Sequence, residues 1–452
     1  MPYAIDLFCG AGGCSEGLIQ SGFHILFSSD ISDMVEVTYK YRHAQLGLIQ
    51  GHNTWFERAD IRNLHGDFIN QKISELEIFR NQSIPEIDLM IGGPSCQGFS
   101  RAGRRDREDP RNLLFGEYVR VINEVNPKYI VLENVEGFMD MQFLGYRGLD
   151  LYDSEGNIIE EGPVYPDGSV TPDILTAELK RIGYDTLKPR ILNAADYGVP
   201  QRRNRVIFIG YRKNLPVPAY PEPTVTSEQQ LTLSDAIGDL INDENLRNRV
   251  NQRPSDYQIE SSAGRTPSFI TGQPIPCDRS HLQNLELPNA TDVVLERFAL
   301  FNQGEDGSAL RKRIKEEGID ITGSNSLIQL CCDKLDMQTN DVIELFRNGD
   351  APDHALDVLL TKKNIRQRLN AVEPSATVVT LPDDYINPWE ARTISVREMA
   401  RCQSFDDSFE FLGKRTTGGL KRRTEVPQCT QVGNAVPPLL AKAVADEIMR
   451  VL

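Results

Sequence analysis

The most constraining feature of the sequence is an apolar run, residues 87–91, that ends in Gly92-Gly93-Pro94 and is followed by a lone cysteine, Cys96. The run has the composition of a buried strand, and Gly-Gly-Pro marks a turn after it. In an open α/β sheet, ligands bind in the crevice beyond the carboxyl ends of the strands. A thiol at such a turn is placed to act as a nucleophile. Taken alone, however, a cysteine after a strand is more often a small buried hydrophobic residue.

A second feature begins at the amino terminus, where residues 3–8 have a strand pattern and residues 9–23 that of a glycine turn opening a helix. Such a turn lets the backbone approach a ligand and points helix amides at it. The dinucleotide-binding pattern is not met, because Ser15 stands where a third glycine is expected. The next strand ends in Asp30, which is placed to accept hydrogen bonds from ribose hydroxyls. A third segment ends in Asp60, and capping or turn roles stay open for both carboxylates.

Strand and helix patterns alternate through the first half of the chain, which is typical of a doubly wound, parallel α/β sheet. Residues 111–122 carry apolar positions at helical spacing, and the strand pattern of residues 129–135 contains Glu133 near its end. Residues 150–170 carry turn signals that predict an inserted hairpin. A final helix is predicted from Pro438 onwards, because the apolar residues that follow recur every four positions.

Composition and charge limit the class of protein. Hydrophobic content of 40% and charged content of 25% are those of a globular protein, and no apolar run approaches a membrane span. The start lacks the basic region of a signal peptide. The eight cysteines form no CxxC pair and the six histidines show no ligand spacing. We therefore expect reduced thiols in a cytosolic protein, with no metal site and no membrane partner.

The formal net charge of −16 argues only weakly against nucleic acid as a partner. Positive residues cluster at 101–111, immediately after Cys96, and again at 414–423. A local basic cluster can bind phosphates whatever the net charge of the chain. A solvated surface loop is the alternative interpretation of each cluster.

The composition changes after residue 213, where a proline-rich stretch indicates a linker. Residues 215–365 are polar and show no clear repeat, and we expect this part to be rich in loops. Ordered patterns return at residues 368–380 and again at residues 431–438. The sequence therefore predicts a second region that interrupts the first domain before the chain returns to it.

Taken together, these stretches resemble the cytosine carbon-5 DNA methyltransferases of the bacterial type. In chain order, the matching segments are DLFCGAGG (6–13), Asp30, Asp60-Ile61, GGPSCQGFS (92–100), RNLLFGEYVR (111–120), LENVEG (132–137), QRRNR (201–205), EPSATVV (373–379) and QVGNAVPP (431–438). Ser95 departs from the second proline that many members carry at this turn, while the cysteine and glutamine after it are kept. The resemblance implies a Rossmann-like S-adenosylmethionine-dependent methyltransferase sheet with a second, smaller target-recognition domain.

The resemblance assigns the chemistry to Cys96, Glu133, Arg203 and Arg205. Carbon 5 of cytosine is a poor nucleophile, and it becomes reactive when a thiolate, here that of Cys96, adds to carbon 6. Glu133 is implied near ring nitrogen 3, and the two arginines are implied to hold the target base and the DNA backbone. A capping carboxylate is the alternative for Glu133, and a structural salt bridge is the alternative for each arginine.

The resemblance also implies which residues bind S-adenosylmethionine and DNA. The implied cofactor residues are Asp6, Phe8, Gly10, Gly12, Gly13, Asp30, Ile31, Asp60, Ile61, Pro94 and Asn434. The implied DNA-binding residues are Gln97, Ser100, Arg101, Arg104 and Arg105. The latter belong to a loop placed to close over a duplex from which the target base is flipped out.

The implied organisation is a catalytic and cofactor domain at residues 1–214, completed by residues 424–452, with a target-recognition domain and hinge at residues 215–423. The implied partner is double-stranded DNA, with base contacts from residues 215–365. Candidate base-contacting residues in that stretch are Asn302, Gln303, Ser324 and Asn325. A monomer, a prokaryotic cytoplasmic location on the nucleoid and a cognate restriction endonuclease are further expectations, with restriction-modification, genome defence or epigenetic marking as the role.

Three alternatives stay open. A cytosine carbon-5 methyltransferase of RNA would use the same residues. A catalytically idle DNA-binding relative would have no chemical reason to keep Cys96, Glu133 and the glycine turn together. A nicotinamide-dependent oxidoreductase on the same kind of sheet is disfavoured by the missing third glycine.

Overall fold

The computed structural model describes residues 1–80, 82–94, 113–152, 155, 157–419, 421 and 424–452. Its strands are β1 Tyr3–Leu7, β2 His24–Asp30, β3 Trp55–Arg58, β4 Leu89–Gly92, β5 Tyr129–Asn134, β6 Gln142–Phe143, β7 Leu151–Tyr152, β8 Ile158–Glu160, β9 Ser169–Val170, β10 Tyr184–Thr186, β11 Arg190–Asn193, β12 Asn204–Arg212, β13 Gln367–Arg368 and β14 Tyr385–Ile386. Its helices are α1 Gly13–Gln20, α2 Asp33–Gln45, α3 Gly66–Ser74, α4 Leu114–Val125, α5 Thr171–Arg181, α6 Leu233–Ile237, α7 Glu244–Val250, α8 Asp256–Ala263, α9 Asp292–Ala299, α10 Gly307–Glu317, α11 Asn325–Leu335, α12 Thr339–Arg347, α13 Asp353–Leu360, α14 Val396–Cys402, α15 Gln428–Asn434 and α16 Pro438–Met449.

Eight strands of the described chain form a central sheet in the order β10-β12-β5-β4-β1-β2-β3, with β11 paired to β12. Strands β1 to β5 run parallel, and β12 is antiparallel to β5. The chain builds from β1 through β2 to β3 and then places β4 on the other side of β1. This reversal leaves a crevice at the carboxyl ends of β1 and β4, where open α/β sheets bind ligands. The predicted doubly wound α/β sheet is confirmed.

Successive strand residues point to opposite faces of the sheet, and both faces are buried by helices. Ile130 and Leu132 of β5 belong to a core shared with helices α3, α4 and α5. Tyr129 and Val131 belong to the core on the other face, which α1 and α16 cover. The helices therefore form a layer on each side of the sheet.

The last helix of the chain packs against the first. Leu440, Val444 and Ile448 of α16 lie in the same buried core as α1. A Cβ atom at Gly17 of α1 would lie 2.6 Å from the Cβ of Ala441, so this close approach requires glycine. The predicted carboxyl-terminal helix is confirmed, and it returns to the central sheet.

A third core joins the region after the linker to the carboxyl-terminal segment. Helices α6, α8, α14 and α15 contribute to it, with buried residues that include Ile237, Tyr257, Met399 and Val432. Helix α15 thus packs with α6, α8 and α14, whereas α16 packs on the sheet. The division into domains at residues 214 and 424 stays a prediction.

Helices α9 to α13, residues 292–360, form what we call the helical unit, with a core of its own. The expectation that residues 215–365 are rich in loops missed helices α6 to α13, which lie in this stretch, although turns and irregular segments make up most of the rest. Most of these helices are short and bury only a few apolar side chains, as α10 buries Leu310 and Ile314. Polar residues on the exposed faces hide the helical period in such segments.

The predicted inserted hairpin is confirmed. Strands β7 and β8 pair antiparallel within residues 150–170, and β6 and β9 pair antiparallel beside them. Tyr146 anchors the insertion, since its ring stacks on Phe115 of α4 with centroids 5.3 Å apart.

The described ranges contain no helix that is long and apolar enough to cross a membrane. Within the same ranges, no group of three or more His, Cys, Asp or Glu side chains is arranged to hold a metal ion.

Candidate active site

The exits of β4 and β5 meet at the crevice. Gly93 and Pro94 follow β4, and Glu133 and Asn134 are the last two residues of β5. Asn134 is buried, and its Nδ2 donates a hydrogen bond of 3.1 Å to the carbonyl oxygen of Pro94. This bond fixes the two strand exits side by side. Cys96, two positions beyond Pro94, lies outside the described residues, so its place in the site stays a prediction.

Glu133 and Arg205 form an ion pair at this edge, with Nε of Arg205 2.6 Å from Oε1 of Glu133. Strand β12 places the arginine there because it pairs with β5, with Val206 opposite Asn134. The two side chains are only 11% and 12% exposed, so their attraction acts in a medium less polar than water. Gly93 leaves room for the carboxylate, since a Cβ atom there would lie 3.1 Å from Oε2 of Glu133.

Arg203 has different partners from Arg205. Its side chain is buried, and its guanidinium donates to the carbonyl oxygens of Val378, at 3.1 Å, and Gly433, at 2.8 Å. Both carbonyls belong to segments that return from late in the chain. These two hydrogen bonds tie Arg203 to the protein backbone, and its predicted contact with DNA stays a prediction.

A left-handed backbone builds the turn after β1. Phe8, Gly10 and Gly12 have φ angles of 57°, 51° and 102°, a conformation that glycine adopts most easily. A Cβ atom at Gly10 would meet no other atom within 4 Å, so the turn has open space on that side. Helix α1 begins at Gly13, and its first backbone amides are unpaired within the helix. A backbone turn with open space beside the start of a helix suits a polar ligand such as the methyl donor implied by the resemblance.

Asp30 lies against this turn. Its Oδ2 accepts a hydrogen bond of 3.1 Å from the amide of Gly10, and its Oδ1 accepts one of 2.9 Å from the amide of Ser32. Burial raises the pKa of Asp30, although these amides oppose the rise. The next residue, Ile31, is largely exposed. The structure therefore brings Asp30 and the glycine turn together, as the sequence predicts.

Asp60 and Ile61 follow β3, which lies beside β2 in the sheet. Nε of Arg62 donates to Oδ1 of Asp60 at 2.9 Å, and this contact lowers the pKa of Asp60. Ile61 is buried in the core of the sheet. Both residues reach the same edge as Asp30, and their contact with an adenine ring stays a prediction.

The returning carboxyl-terminal segment closes against the glycine turn. A Cβ atom at Gly13 would lie 2.1 Å from the carbonyl oxygen of Val436, so only glycine fits at this position. Asn434, at the end of α15, is exposed two residues before Val436. The structure thus brings the segment that carries Asn434 to the turn.

Asp6 lies beneath the turn. Its carboxylate is 1% exposed and accepts a hydrogen bond of 2.6 Å from Oγ of Ser15. The hydroxyl of Tyr39 is bonded to Ser15 and to Ser28 in the same buried network. Burial raises the pKa of Asp6 to about 7, against the opposing effect of the Ser15 hydrogen bond. In this conformation Asp6 supports the turn from inside, and its buried position does not favour the predicted direct contact with a cofactor.

Comparison with known proteins decides the family. The profile of the C-5 cytosine-specific DNA methylases matches residues 3–146 and 164–450, almost the whole chain. The chain belongs to the C-5 cytosine-specific DNA methylase family. As an enzyme, this methylase is a DNA (cytosine-5-)-methyltransferase. The profile leaves out residues 147–163, which contain the β7–β8 hairpin.

Relatives of the methylase are similar over almost all of this chain and most of their own lengths. The type II methyltransferase M.XorII of Xanthomonas oryzae pv. oryzae is 31% identical, over 100% of this chain and 85% of that protein. The type II methyltransferase M.DdeI of Desulfomicrobium norvegicum is 29% identical, over 98% of this chain and 88% of that protein. A crystal structure named as that of a DNA modification methyltransferase encoded within an E. coli prophage matches the fold. Its TM-score is 0.60 at 21% identity, over 100% of this chain and 99% of that chain.

The DNA-binding residues predicted for the methylase lie outside the described residues. These residues are Gln97, Ser100, Arg101, Arg104 and Arg105. In the second basic cluster, Lys414 is paired with Glu425. The assignment of both clusters to DNA stays a prediction.

Three residues that support the methylase site, Asn134, Gln201 and Tyr39, were not predicted from the sequence. Asn134 had a signal, since it directly follows Glu133 in the matching segment LENVEG. Gln201 opens the segment QRRNR, but its buried bond to Gln403 joins positions 202 residues apart. Tyr39 carries no motif at all, and only the folded chain shows that it bonds Ser15.

Proposed function

We propose that this methylase transfers a methyl group from S-adenosylmethionine to carbon 5 of a flipped-out cytosine in double-stranded DNA, through a covalent adduct with Cys96. The observation that carries the proposal is the largely buried Glu133–Arg205 pair, 2.6 Å apart, at the exit of β5. This exit is bonded to Pro94, two residues before the cysteine. The pair adjoins the crevice at the point where the strand order reverses, which is the usual ligand site of such sheets.

S-adenosylmethionine supplies an electrophilic methyl group when it is bound. The Cys96 thiolate adds to carbon 6 of the cytosine, and this addition makes carbon 5 nucleophilic. Glu133 holds a proton near ring nitrogen 3 as charge develops on the ring. Arg205 fixes the orientation of Glu133 through their ion pair. After transfer, carbon 5 loses its proton and the thiolate leaves carbon 6, which restores the aromatic ring.

The residues that hold the methyl donor follow from the geometry of the turn. The turn from Phe8 to Gly12 and the start of α1 cradle its polar groups. Asp30, beside Gly10, binds the ribose, and Asn434 contacts the donor from the returning segment. Asp6 keeps the turn in place from below.

We assign sequence recognition to residues 215–365, as the resemblance implies. The structure favours some of the candidate base-contacting residues over others. Gln303 is held by the protein, since it donates to the carbonyl of Pro388 at 2.9 Å and accepts from the amide of Ala371 at 3.2 Å. Ser324 is buried, whereas Asn302, Gln303 and Asn325 are exposed. Substitution of Asn302 and Asn325 is therefore the better test of base contacts in the major groove.

The type II methyltransferases among the relatives support a role in restriction-modification. We propose a cognate restriction endonuclease as the functional counterpart, with the methylase acting as a monomer on DNA in a prokaryotic cytoplasm. Methylation of the host sites would then protect them from cleavage.

The proposal is tested by supplying S-adenosylmethionine with a tritiated methyl group to the purified protein, with plasmid DNA or with RNA transcribed from the same plasmid. We expect the label in DNA, at carbon 5 of cytosines within one short sequence. Label in RNA alone would instead show an RNA methyltransferase. Binding of DNA with no label in either polymer would show an idle relative.

A further inference from the structure

Three buried polar side chains lie behind the candidate site, and we call them the polar cluster: Gln201, Arg203 and Gln403. Gln201 and Gln403 have no exposed surface, and Arg203 is 2% exposed. Nε2 of Gln201 donates to Oε1 of Gln403 at 2.8 Å. Burying such groups is costly unless each is hydrogen-bonded, so their partners reveal what they hold in place.

The first backbone segment held by the polar cluster is that around Val378. The amide of Val378 donates to Oε1 of Gln201 at 2.7 Å, and its carbonyl accepts from Arg203 at 3.1 Å. Val378 is thus hydrogen-bonded to the polar cluster through both its backbone amide and its backbone carbonyl. Gln201 also donates to the carbonyl of Cys402 at 3.1 Å, which fixes the end of α14 to the same point.

The second segment is the carboxyl end of α15 with the residues after it, 432–436. Gln403 donates to the carbonyl of Val432 at 2.7 Å, and Arg203 donates to that of Gly433 at 2.8 Å. The last carbonyls of a helix have no partners within the helix and need donors from elsewhere. A cation at a helix carboxyl end also interacts favourably with the helix dipole. The polar cluster therefore caps α15.

Close backbone packing completes the arrangement. A Cβ atom at Gly433 would lie 2.7 Å from the carbonyl carbon of Val379, so segment 432–436 rests directly on the backbone after Val378. On the other side, Val436 lies against Gly13 of the glycine turn. Segment 432–436 thus lies between the glycine turn and the backbone around Val378, to which Arg203 and Gln201 are hydrogen-bonded.

We propose that Gln201, Arg203 and Gln403 are positioning residues that set segment 432–436 against the glycine turn and so complete the methyl-donor site. This inference rests on the proposed function, because it concerns the same donor site. It separates the two arginines of QRRNR: Arg205 acts at the Glu133 carboxylate, whereas Arg203 acts through the backbone that carries Asn434. The resemblance alone gives both arginines one role.

The test measures binding of S-adenosylhomocysteine, the demethylated form of the donor, by calorimetry on the full-length protein. The variants are Arg203→Lys and Gln403→Asn, with Arg205→Lys for contrast and the exposed neighbour Arg202→Lys as a matched control. We expect the dissociation constant to rise about tenfold for Arg203→Lys and Gln403→Asn, as for loss of one buried hydrogen bond. Affinity for duplex DNA should stay within twofold. Arg205→Lys should bind S-adenosylhomocysteine normally and lose turnover, and Arg202→Lys should match the wild type.

Unchanged S-adenosylhomocysteine binding in folded Arg203→Lys and Gln403→Asn would overturn the positioning role. If neither variant folds, hydrogen exchange on the wild type decides: S-adenosylhomocysteine should slow exchange at residues 432–436 and at residues 378–380 together. Unchanged exchange there would overturn the proposal equally. A wild type that binds no S-adenosylhomocysteine and methylates no DNA would instead refute the proposed function itself.

Discussion

The region at the carboxyl ends of the central strands, with the adjoining helices α1 and α2, is called the sheet edge here. It differs from the helical unit in the side chains that it buries. Around the sheet edge the buried groups include the charged side chains of Asp6, Glu16, Arg42 and Arg203. The core of the helical unit, residues 292–360, consists of Phe, Leu, Ile, Val and Ala with a single Cys, and Arg297 is the charged side chain buried beside it. The first region therefore depends on specific polar contacts, and the second mainly on apolar packing.

Arg42 shows how the buried charges at the sheet edge are balanced. Its guanidinium donates two hydrogen bonds, of 2.8 and 2.9 Å, to Glu16 of α1, and a third of 2.9 Å to Oγ of Ser408. Its Nη2 also lies 3.6 Å from Oδ1 of Asp406. Burial acts to raise the pKa of Asp406, but Arg42 and hydrogen bonds from Ser408 and Arg265 outweigh it, so this pKa lies below its ordinary value.

Buried polar contacts fix the geometry of the sheet edge, whereas apolar packing stabilises the helical unit without fixing one arrangement of its side chains. Apolar packing tolerates rearrangement, whereas a buried ion pair is satisfied in few arrangements. We interpret the charged contacts around α1 and β5 as the groups that hold the turn and Glu133 in one geometry. The helical unit, by contrast, can vary its surface residues while its core keeps the fold.

The largest expected effect is that of Glu133→Gln. If Glu133 holds the proton near ring nitrogen 3, the rate of methyl transfer should fall by roughly 10²–10⁴-fold, with DNA affinity preserved. Single-turnover kinetics and a thermal melt on one preparation measure both quantities. Glu136→Gln, three residues further along, is the matched control and should keep full turnover. A stable Glu133→Gln protein with normal turnover would reduce Glu133 to a structural role.

Next in size is the cost of breaking a buried pair. Arg42→Met leaves Glu16 and Asp406 buried without their cation, and we expect a loss of about 3–5 kcal/mol in the free energy of unfolding. The matched change in the helical unit is Lys315→Met, whose ion pair with Asp353 is largely exposed. That variant should lose less than about 1 kcal/mol. Equal losses in urea unfolding would contradict the contrast between the two regions.

The sequence predicted those parts of the site that depend on local patterns. The glycine turn, Asp30 and the exits of β4 and β5 all follow from apolar runs that end in turn residues. The helical unit was missed because residues such as Leu310 and Ile314 are two apolar positions in an otherwise polar helix. The contacts from Arg42 to Ser408 and from Gln201 to Gln403 span 366 and 202 positions, and no local pattern specifies such pairs.

A smaller effect is the pH dependence that Asp6 gives to stability. Its pKa of about 7 in the folded chain lies above the ordinary value of 3.8, so the folded state binds this proton more tightly. Its contribution is fully present below pH 3.8 and is lost as the pH rises through 7. Asp6→Asn should therefore gain stability relative to the wild type as the pH rises from 5 towards 7, by about 1.4 kcal/mol for each pH unit. Thermal melts across this range measure the gain.

The exposed Asp33→Asn, at the start of α2, is the control for that series. It removes a carboxylate at an exposed position and leaves the buried network around Asp6 intact. A difference between Asp6→Asn and the wild type that does not change with pH would contradict the raised pKa of Asp6.

The covalent role proposed for Cys96 is tested by trapping the protein on a duplex that carries 5-fluorocytosine in the methylated sequence. Fluorine at carbon 5 cannot leave as a proton does, so the adduct between Cys96 and carbon 6 should persist once the methyl group is transferred. With S-adenosylmethionine present, we predict a protein–DNA adduct that survives denaturing electrophoresis, and none with Cys96→Ala. An adduct formed equally by Cys96→Ala, or none with an active wild type, would contradict the account.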